Sequence, residues 1–492
     1  MLNISGDYIY QSIIQAPIYH LLLEGILFMW VIWLLKRKKI NPTEEQPLSA
    51  KEQQQIIDHF EPKPLIYNGD SRDEGVEGDE SSEIDWGTID GPAGKYIEID
   101  GTKYLNLATH NYLGFVEEPS ILDETERCIR QYGVGSCGPR GFYGTVDVHL
   151  ELEEAIAKFL NLEETALYAY SFAAISSAIP SYAKRGDVIF ADEHVNFAIQ
   201  RGLIASRSEI RYFKHNDVED LTRLLNLQRK ADLQNPVKAK AIRRFCVVEG
   251  IYSKTGLICP LKEISELCLE FKVRLFVDES ISFGAIGQTG RGITEYLNVP
   301  RENIDFISGS LEQGLGAFGG FIVGSSYVVD HQRISGLGYC FSASLPPMLA
   351  GAGIQALKLI ESNPQLIQEL QNNCEYMDRK LRSLSVFTIS GHPLSPVKHM
   401  SLKKSFGSRK TDKLLLKEIA FHVRENAKIA VVMPAYLEKE EKTLLPPSIR
   451  IAVNRLLKDN EMDDVVTALK EAANVVLSKP DLPDYDEPKS QN

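Results

Sequence analysis

The sequence predicts an α/β protein: a mostly parallel sheet sandwiched by helices, a smaller C-terminal α+β domain, and an N-terminal transmembrane helix. Three observations carry this prediction. Between residues 165 and 323, short runs rich in branched and aromatic residues alternate with helical patterns, as in a parallel sheet covered on both faces. Residues 386–477 carry the mixed helix and strand patterns of a smaller unit. An apolar run at residues 18–35 is followed at once by Lys36, Arg37, Lys38 and Lys39.

The bulk properties agree with this. With 492 residues, 43% of them hydrophobic and 25% charged, the chain can hold two or three domains and a sizeable core. Its net charge of -13 argues against a nucleic-acid partner, which would need a concentrated basic surface. Part of the acidic excess lies in residues 70–85. The seven cysteines show no C-x-x-C spacing, so they read as reduced thiols in a cytosol-facing domain and not as a disulfide or zinc framework; no metal site is expected.

Taken in order, residues 1–17 carry no basic side chain. The apolar run of residues 18–35 would extend roughly 27 Å as a helix, enough to cross a thin bilayer such as the endoplasmic reticulum. The basic cluster that follows places the N-terminus in the lumen and the rest of the chain in the cytosol. A cleaved signal peptide would need charges before the run and a small-residue cleavage site after it; neither is present. Glu24 is either a tolerated polar residue or a contact for another membrane helix. Asn3-Ile4-Ser5 is a formal glycosylation sequon.

Residues 36–94 read as a cytosolic linker with a short amphipathic helix at 50–60. A hairpin follows at 96–107, turning on Asp100-Gly101. Asn111 to Gly114 make a turn, residues 120–132 an amphipathic helix, residues 132–145 a glycine-rich loop, and helical pattern resumes at 149–159. Strands are expected at 165–170, 187–190, 209–213, 245–249, 274–277, 306–308 and 320–323. These fill a large domain spanning 95–345. A long helix beyond Pro346-Pro347 leads into the small domain, 346–478, and residues 479–492 read as a disordered tail. The glycine run at 284–292, GAIGQTGRG, lacks the spacing of a dinucleotide fingerprint.

Four stretches carry a family resemblance: residues 133–149 (GVGSCGPRGFYGTVDVH), 305–324 (DFISGSLEQGLGAFGGFIVG), 329–347 (VDHQRISGLGYCFSASLPP) and 436–451 (YLEKEEKTLLPPSIRI). From about residue 95 to 475 the chain resembles the α-oxoamine synthases, fold-type I pyridoxal-phosphate enzymes that condense an amino acid with an acyl-CoA. It is most similar to their non-catalytic subunits. The resemblance implies that Gln313 stands where the family has its Schiff-base lysine, before the Gly319-Gly320 pair. An amide nitrogen is no nucleophile, because its lone pair is delocalised into the carbonyl. By the same resemblance, Asp278 keeps the carboxylate that pairs with the cofactor's ring nitrogen, while Ile281 and Asn196 replace two histidines. His194 is out of register and reads as a surface or loop histidine. Three losses together imply no aldimine in this chain's own site, and Asp278 becomes a vestigial carboxylate capping the turn after its strand.

The family also builds each site at a dimer interface. That implies a catalytic partner subunit that binds the pyridoxal 5'-phosphate, with Asn111, Ser136, Cys137, Arg140, Tyr143, Ser342 and Ser344 of this chain completing the partner's site. Arg140 would meet a phosphate or carboxylate. The competing reading of the loop is an internal turn with Cys137 buried. Arg450 aligns with an arginine that holds substrate carboxylate in active relatives; here packing or an ion pair is expected of it. The substrates implied for the complex are serine and palmitoyl-CoA, giving 3-ketosphinganine at the endoplasmic reticulum membrane. Small activating membrane subunits and inhibitory membrane regulators are implied as well. The alternatives are an active acyltransferase that uses another lysine, for which Lys254 is the candidate, and a scaffold that touches no substrate.

Overall fold

The computed structural model describes residues 17–36, 49–60, 86–438 and 440–479. The sequon at Asn3, most of the expected linker and the tail beyond residue 479 lie outside the described residues. The chain divides into two compact units, Met1–Glu80 and Ser81–Asn492.

The first unit holds two helices, Ile18–Lys36 and Ala50–Asp58. Ile18–Lys36 is 19 residues long, and every apolar side chain described on it is exposed. Among the described residues no helix is long and apolar enough to cross a membrane. The side chains of Leu21, Leu35 and Lys36 lie outside the described residues.

The second unit is built on a seven-stranded sheet: β4 (Glu164–Tyr168), β5 (Val188–Asp192), β6 (Glu209–Phe213), β7 (Arg244–Glu249), β8 (Arg274–Asp278), β9 (Phe306–Ser310) and β10 (Gly320–Gly324), in the order β4-β10-β9-β8-β7-β5-β6. Only β10 runs against its neighbours; the pairs among β9, β8, β7, β5 and β6 are all parallel. β5, β9 and β10 are buried at every residue, which follows from helices covering both faces; β5 and β10 are mostly apolar, while β9 buries Ser308 and Ser310 as well. These are the seven strands read from the pattern, with ends unchanged or moved by one or two residues.

Ahead of this sheet lie β1 (Ile89–Asp90), β2 (Tyr96–Ile99) and β3 (Thr102–Asn106). The β2–β3 turn has positive φ at both central residues, Asp100 (49°) and Gly101 (72°), the conformation that matches strand twist in a two-residue hairpin. β13 (Ile429–Ala430) adds to β3 in parallel and ties the hairpin to the C-terminal part. That part holds the antiparallel sheet β11 (Phe387–Ser390), β12 (Val397–Leu402) and β14 (Ile449–Ala452), with helices Gln365–Leu381, Arg409–Ala427 and Asp459–Leu477. The carboxyl ends of β5, β7 and β8 bring Asp192, Glu249 and Asp278 to one edge, where open parallel sheets place their sites.

Candidate functional site

Asp278 and Glu249 end β8 and β7, stand opposite one another in register, and are both buried. Burial disfavours their charged forms. Glu249 is pushed up to about 8, by burial first and by the neighbouring Asp278 charge second. Asp278 is raised as well, mainly by burial.

Asn196 joins them. Its side-chain oxygen caps helix Phe197–Ser206 by accepting from Ile199 N at 3.0 Å. Its Nδ2 donates to Asp278 Oδ2 at 2.9 Å, and its backbone N–H donates to Glu249 Oε1 at 2.7 Å. Ser280 donates to the other Asp278 oxygen through its backbone N–H (3.0 Å) and its hydroxyl (2.5 Å). Both oxygens of Asp278 are thus engaged inside the chain, and one of them caps the turn after β8. Ile281 is packed in the core.

The turn from β9 to β10 closes this edge. The Gln313 carbonyl accepts from Tyr112 N at 3.1 Å, and its side-chain Oε1 is buried without a partner. Gly319 has φ of 123°, a region that side chains rarely adopt, and a Cβ there would press on Leu345, Leu311 and the Tyr168 carbonyl. Glu312 was not singled out from the sequence. Its Oε1 accepts from the Ser171 hydroxyl at 2.8 Å and from Ser171 N at 3.4 Å, at the first turn of helix Ser171–Tyr182. Helix N-termini are anion sites because their free N–H groups and dipole face outward. Here the anion is the chain's own carboxylate. No local signal links two residues 141 positions apart.

Other expectations shift. His194 sits in the turn after β5, the loop half of the expectation, but it is half-buried: its Nδ1 is buried without a partner, and it packs on His215 with ring centroids 4.6 Å apart. His215 in turn bonds Asp192 at 2.9 Å and Thr255 at 3.1 Å. Lys254 is buried and paired with Glu441, beside the Tyr436 ring. Arg450 makes no ion pair among the described residues; its Nη2 donates to the Ala108 carbonyl at 2.7 Å and its Nε is buried without a partner.

The glycine-rich loop packs on the segment after helix Leu337–Cys340. Ser344 donates to the Gly138 carbonyl from its backbone N–H (3.0 Å) and its hydroxyl (2.9 Å), and the Ser136 hydroxyl donates to the Ser344 carbonyl at 3.3 Å. Arg140 does not face outward as expected. It is buried and holds Glu153 with two bonds, 2.8 and 3.0 Å, while its Nε donates to Thr145 at 3.0 Å. Glu153 also accepts from Leu167 N at 2.9 Å, so the pair pins the loop to β4. Asn111 is buried; its carbonyl accepts from Gly114 N at 3.1 Å, and its side chain lies 3.4 Å or more from its nearest partners. Cys137 is exposed, against the buried alternative; Ser342 is half-buried, and Tyr143 is 96% exposed with φ of 67°. Phe142, Val134 and Phe341 are exposed around them.

This fold, with its polar edge at the strand ends, defines the class. Residues 102–469 match the aminotransferase class I and II family, and the chain belongs to that family. Within it the chain is a homologue of serine palmitoyltransferase 1: it is 38% identical to the Dictyostelium discoideum protein of that name over 478 residues, covering 96% of this chain and 97% of the relative. It is 40% identical to long chain base biosynthesis protein 1b of Oryza sativa subsp. japonica, covering 93% and 92%. Against serine palmitoyltransferase 1 of Saccharomyces cerevisiae the identity is 34%, covering 91% and 87%. Among solved structures, the fold matches Sphingomonas wittichii serine palmitoyltransferase with a TM-score of 0.69 at 24% identity, covering 78% of this chain and 91% of that one. A structure described as SPT with PLP internal aldimine matches with a TM-score of 0.70 at 23% identity, covering 79% and 93%.

Proposed function

We propose that this chain is the non-catalytic subunit of a serine palmitoyltransferase, working in sphingolipid synthesis beside a catalytic subunit that holds the pyridoxal phosphate. The observation that carries the reading is that Asp278 and the N-terminus of helix Ser171–Tyr182, two groups a cofactor would need, are engaged from within the chain. Gln313 supplies no amine, Asn196 occupies the Asp278 oxygen, and Glu312 fills the helix N-terminus that a phosphate would need. These residues do not fit a covalently held pyridoxal phosphate. The pairing of Lys254 with Glu441 counts against that lysine as a substitute nucleophile.

The chain's contribution is then a surface. Cys137 and Tyr143, with the apolar Phe142 and Phe341 and the half-buried Ser342, form the part that meets the partner's site, while Arg140 and Ser344 hold these loops in shape from inside. Helix Ile18–Lys36 is assigned to the membrane, because the apolar side chains described on it are all exposed and need a lipid or protein cover. We place the chain in the endoplasmic reticulum membrane with its second unit in the cytosol. Small activating membrane subunits and inhibitory regulators belong to the same proposal, as do serine and palmitoyl-CoA as substrates of the complex.

The test is expression of the chain alone and together with a catalytic partner. Serine-dependent acyl transfer is expected only from the pair, and borohydride is expected to fix cofactor to the partner alone. Activity, or cofactor fixed to this chain, in the lone protein refutes the reading.

A further inference from the structure

The net charge of -13 hides a basic face at the opposite end of the sheet from the site. Three segments converge where β5, β6 and β7 begin. Val188 N donates to the Arg243 carbonyl at 3.0 Å, Glu209 N to the Asp187 carbonyl at 2.9 Å, and the Ser208 hydroxyl to the Lys184 carbonyl at 2.9 Å. Asp187 clamps the group by accepting from Lys184 N and Arg243 N, both at 2.9 Å. Lys184 and Arg185, then Arg207, then Lys238, Lys240 and Arg243 are thereby brought together, all exposed. Residues 228–244 alone carry six cations (Arg229, Lys230, Lys238, Lys240, Arg243, Arg244) against one acid, Asp232.

Arg185, Arg207, Lys238 and Lys240 have no side-chain partner among the described residues. Helix Pro236–Ala241 among them has no buried residue. Aliphatic side chains stand between the charges: Val237 is 84% exposed and Leu233 74%. Unpaired cations interleaved with aliphatic groups suit a surface that is anionic outside and apolar beneath. A nucleic-acid face would want aromatic side chains for stacking, and these segments expose none.

We propose that this face docks on a membrane surface by binding anionic lipid headgroups. The inference does not rest on the enzymatic reading and holds for an active or an inactive subunit.

The test is co-sedimentation of the full chain with vesicles of phosphatidylcholine alone and of phosphatidylcholine with phosphatidylserine, at low and high salt. Binding to the neutral vesicles reports whatever helix Ile18–Lys36 contributes. The anionic lipid is expected to raise binding further, and high salt to remove the increase. The variant Arg185→Gln, Arg207→Gln, Lys238→Gln, Lys240→Gln is expected to lose roughly 600-fold of that increase, since each of the four cations near such a surface contributes roughly fivefold. It should keep the wild-type melting temperature and the binding to neutral vesicles. No dependence on phosphatidylserine, or an increase that the variant retains, overturns the proposal. Binding to soluble polyglutamate through the same residues, with anionic vesicles ignored, assigns the face to an acidic protein and overturns the lipid.

Discussion

Replacing Glu312 by alanine tests whether the chain's own carboxylate takes the place of an anion at helix Ser171–Tyr182. The substitution removes the acceptor for the Ser171 hydroxyl and N–H and takes a negative charge from a helix N-terminus. A bond to a charged group contributes about 1.5–3 kcal/mol and a charge at a helix end about 0.3–1 kcal/mol. Glu312 is half-buried, and water recovers part of the loss, so we expect a net cost of about 2 kcal/mol. For a unit of this size that lowers the melting temperature by about 2 °C. The assay is a thermal melt of wild type and Glu312→Ala with and without inorganic phosphate. The variant exposes an anion site, so phosphate at about ten times its Kd should return about 1.4 kcal/mol to it. Wild type should gain far less. An unchanged melt in the variant, or equal stabilisation of both proteins by phosphate, refutes the reasoning.

Other outcomes follow from the same geometry. Glu249 is held protonated in the folded chain up to about 8, well above its ordinary value near 4.5, so the folded state binds more protons than the unfolded state between those values. Stability from this group is full below about 4.5 and is lost as pH rises to about 8. A melt series from pH 5 to pH 9 should show that decline, and Glu249→Gln should flatten it while costing about 1 kcal/mol at pH 5, because an amide nitrogen cannot accept from Ser253 N. Arg140→Ala leaves Glu153 charged and buried and should destabilise the isolated chain by about 3 kcal/mol in denaturant titration. An unchanged midpoint would instead make Arg140 a ligand-facing arginine. Gly144→Ala drives a Cβ into the Gly138 carbonyl and the Ser344 hydroxyl, so the two loops must part. The chain should stay folded by circular dichroism and yet pull down less catalytic partner. Tyr143→Asp, at an exposed position, should weaken the same pull-down with no change in melting temperature.

Much of this architecture was written locally. The alternation of strand and helix patterns, the Asp100-Gly101 hairpin and the helix after Pro346 depend on side-chain period and turn chemistry within a dozen residues. They emerged in the expected order, with boundaries shifted by a few positions. The residues at 196, 281 and 313 could also be picked out, because they are departures within recognisable stretches.

What their neighbours do could not be read that way. Arg140 looked like an outward ligand group, and its glycine-rich setting gave no hint of Glu153, thirteen residues on and across a loop. Asn196 reaches Asp278 over 82 positions, and Glu312 reaches Ser171 over 141. The basic face needs three loops from separate crossovers, all starting at one end of the sheet. The sequence by itself determined the order of the elements and the amide side chain at position 313, since both follow from local pattern and residue identity. The tertiary structure alone decided which charges are spent inside the chain and which stay free at its surface, because pairing of buried charges depends on distances set by the sheet's crossovers.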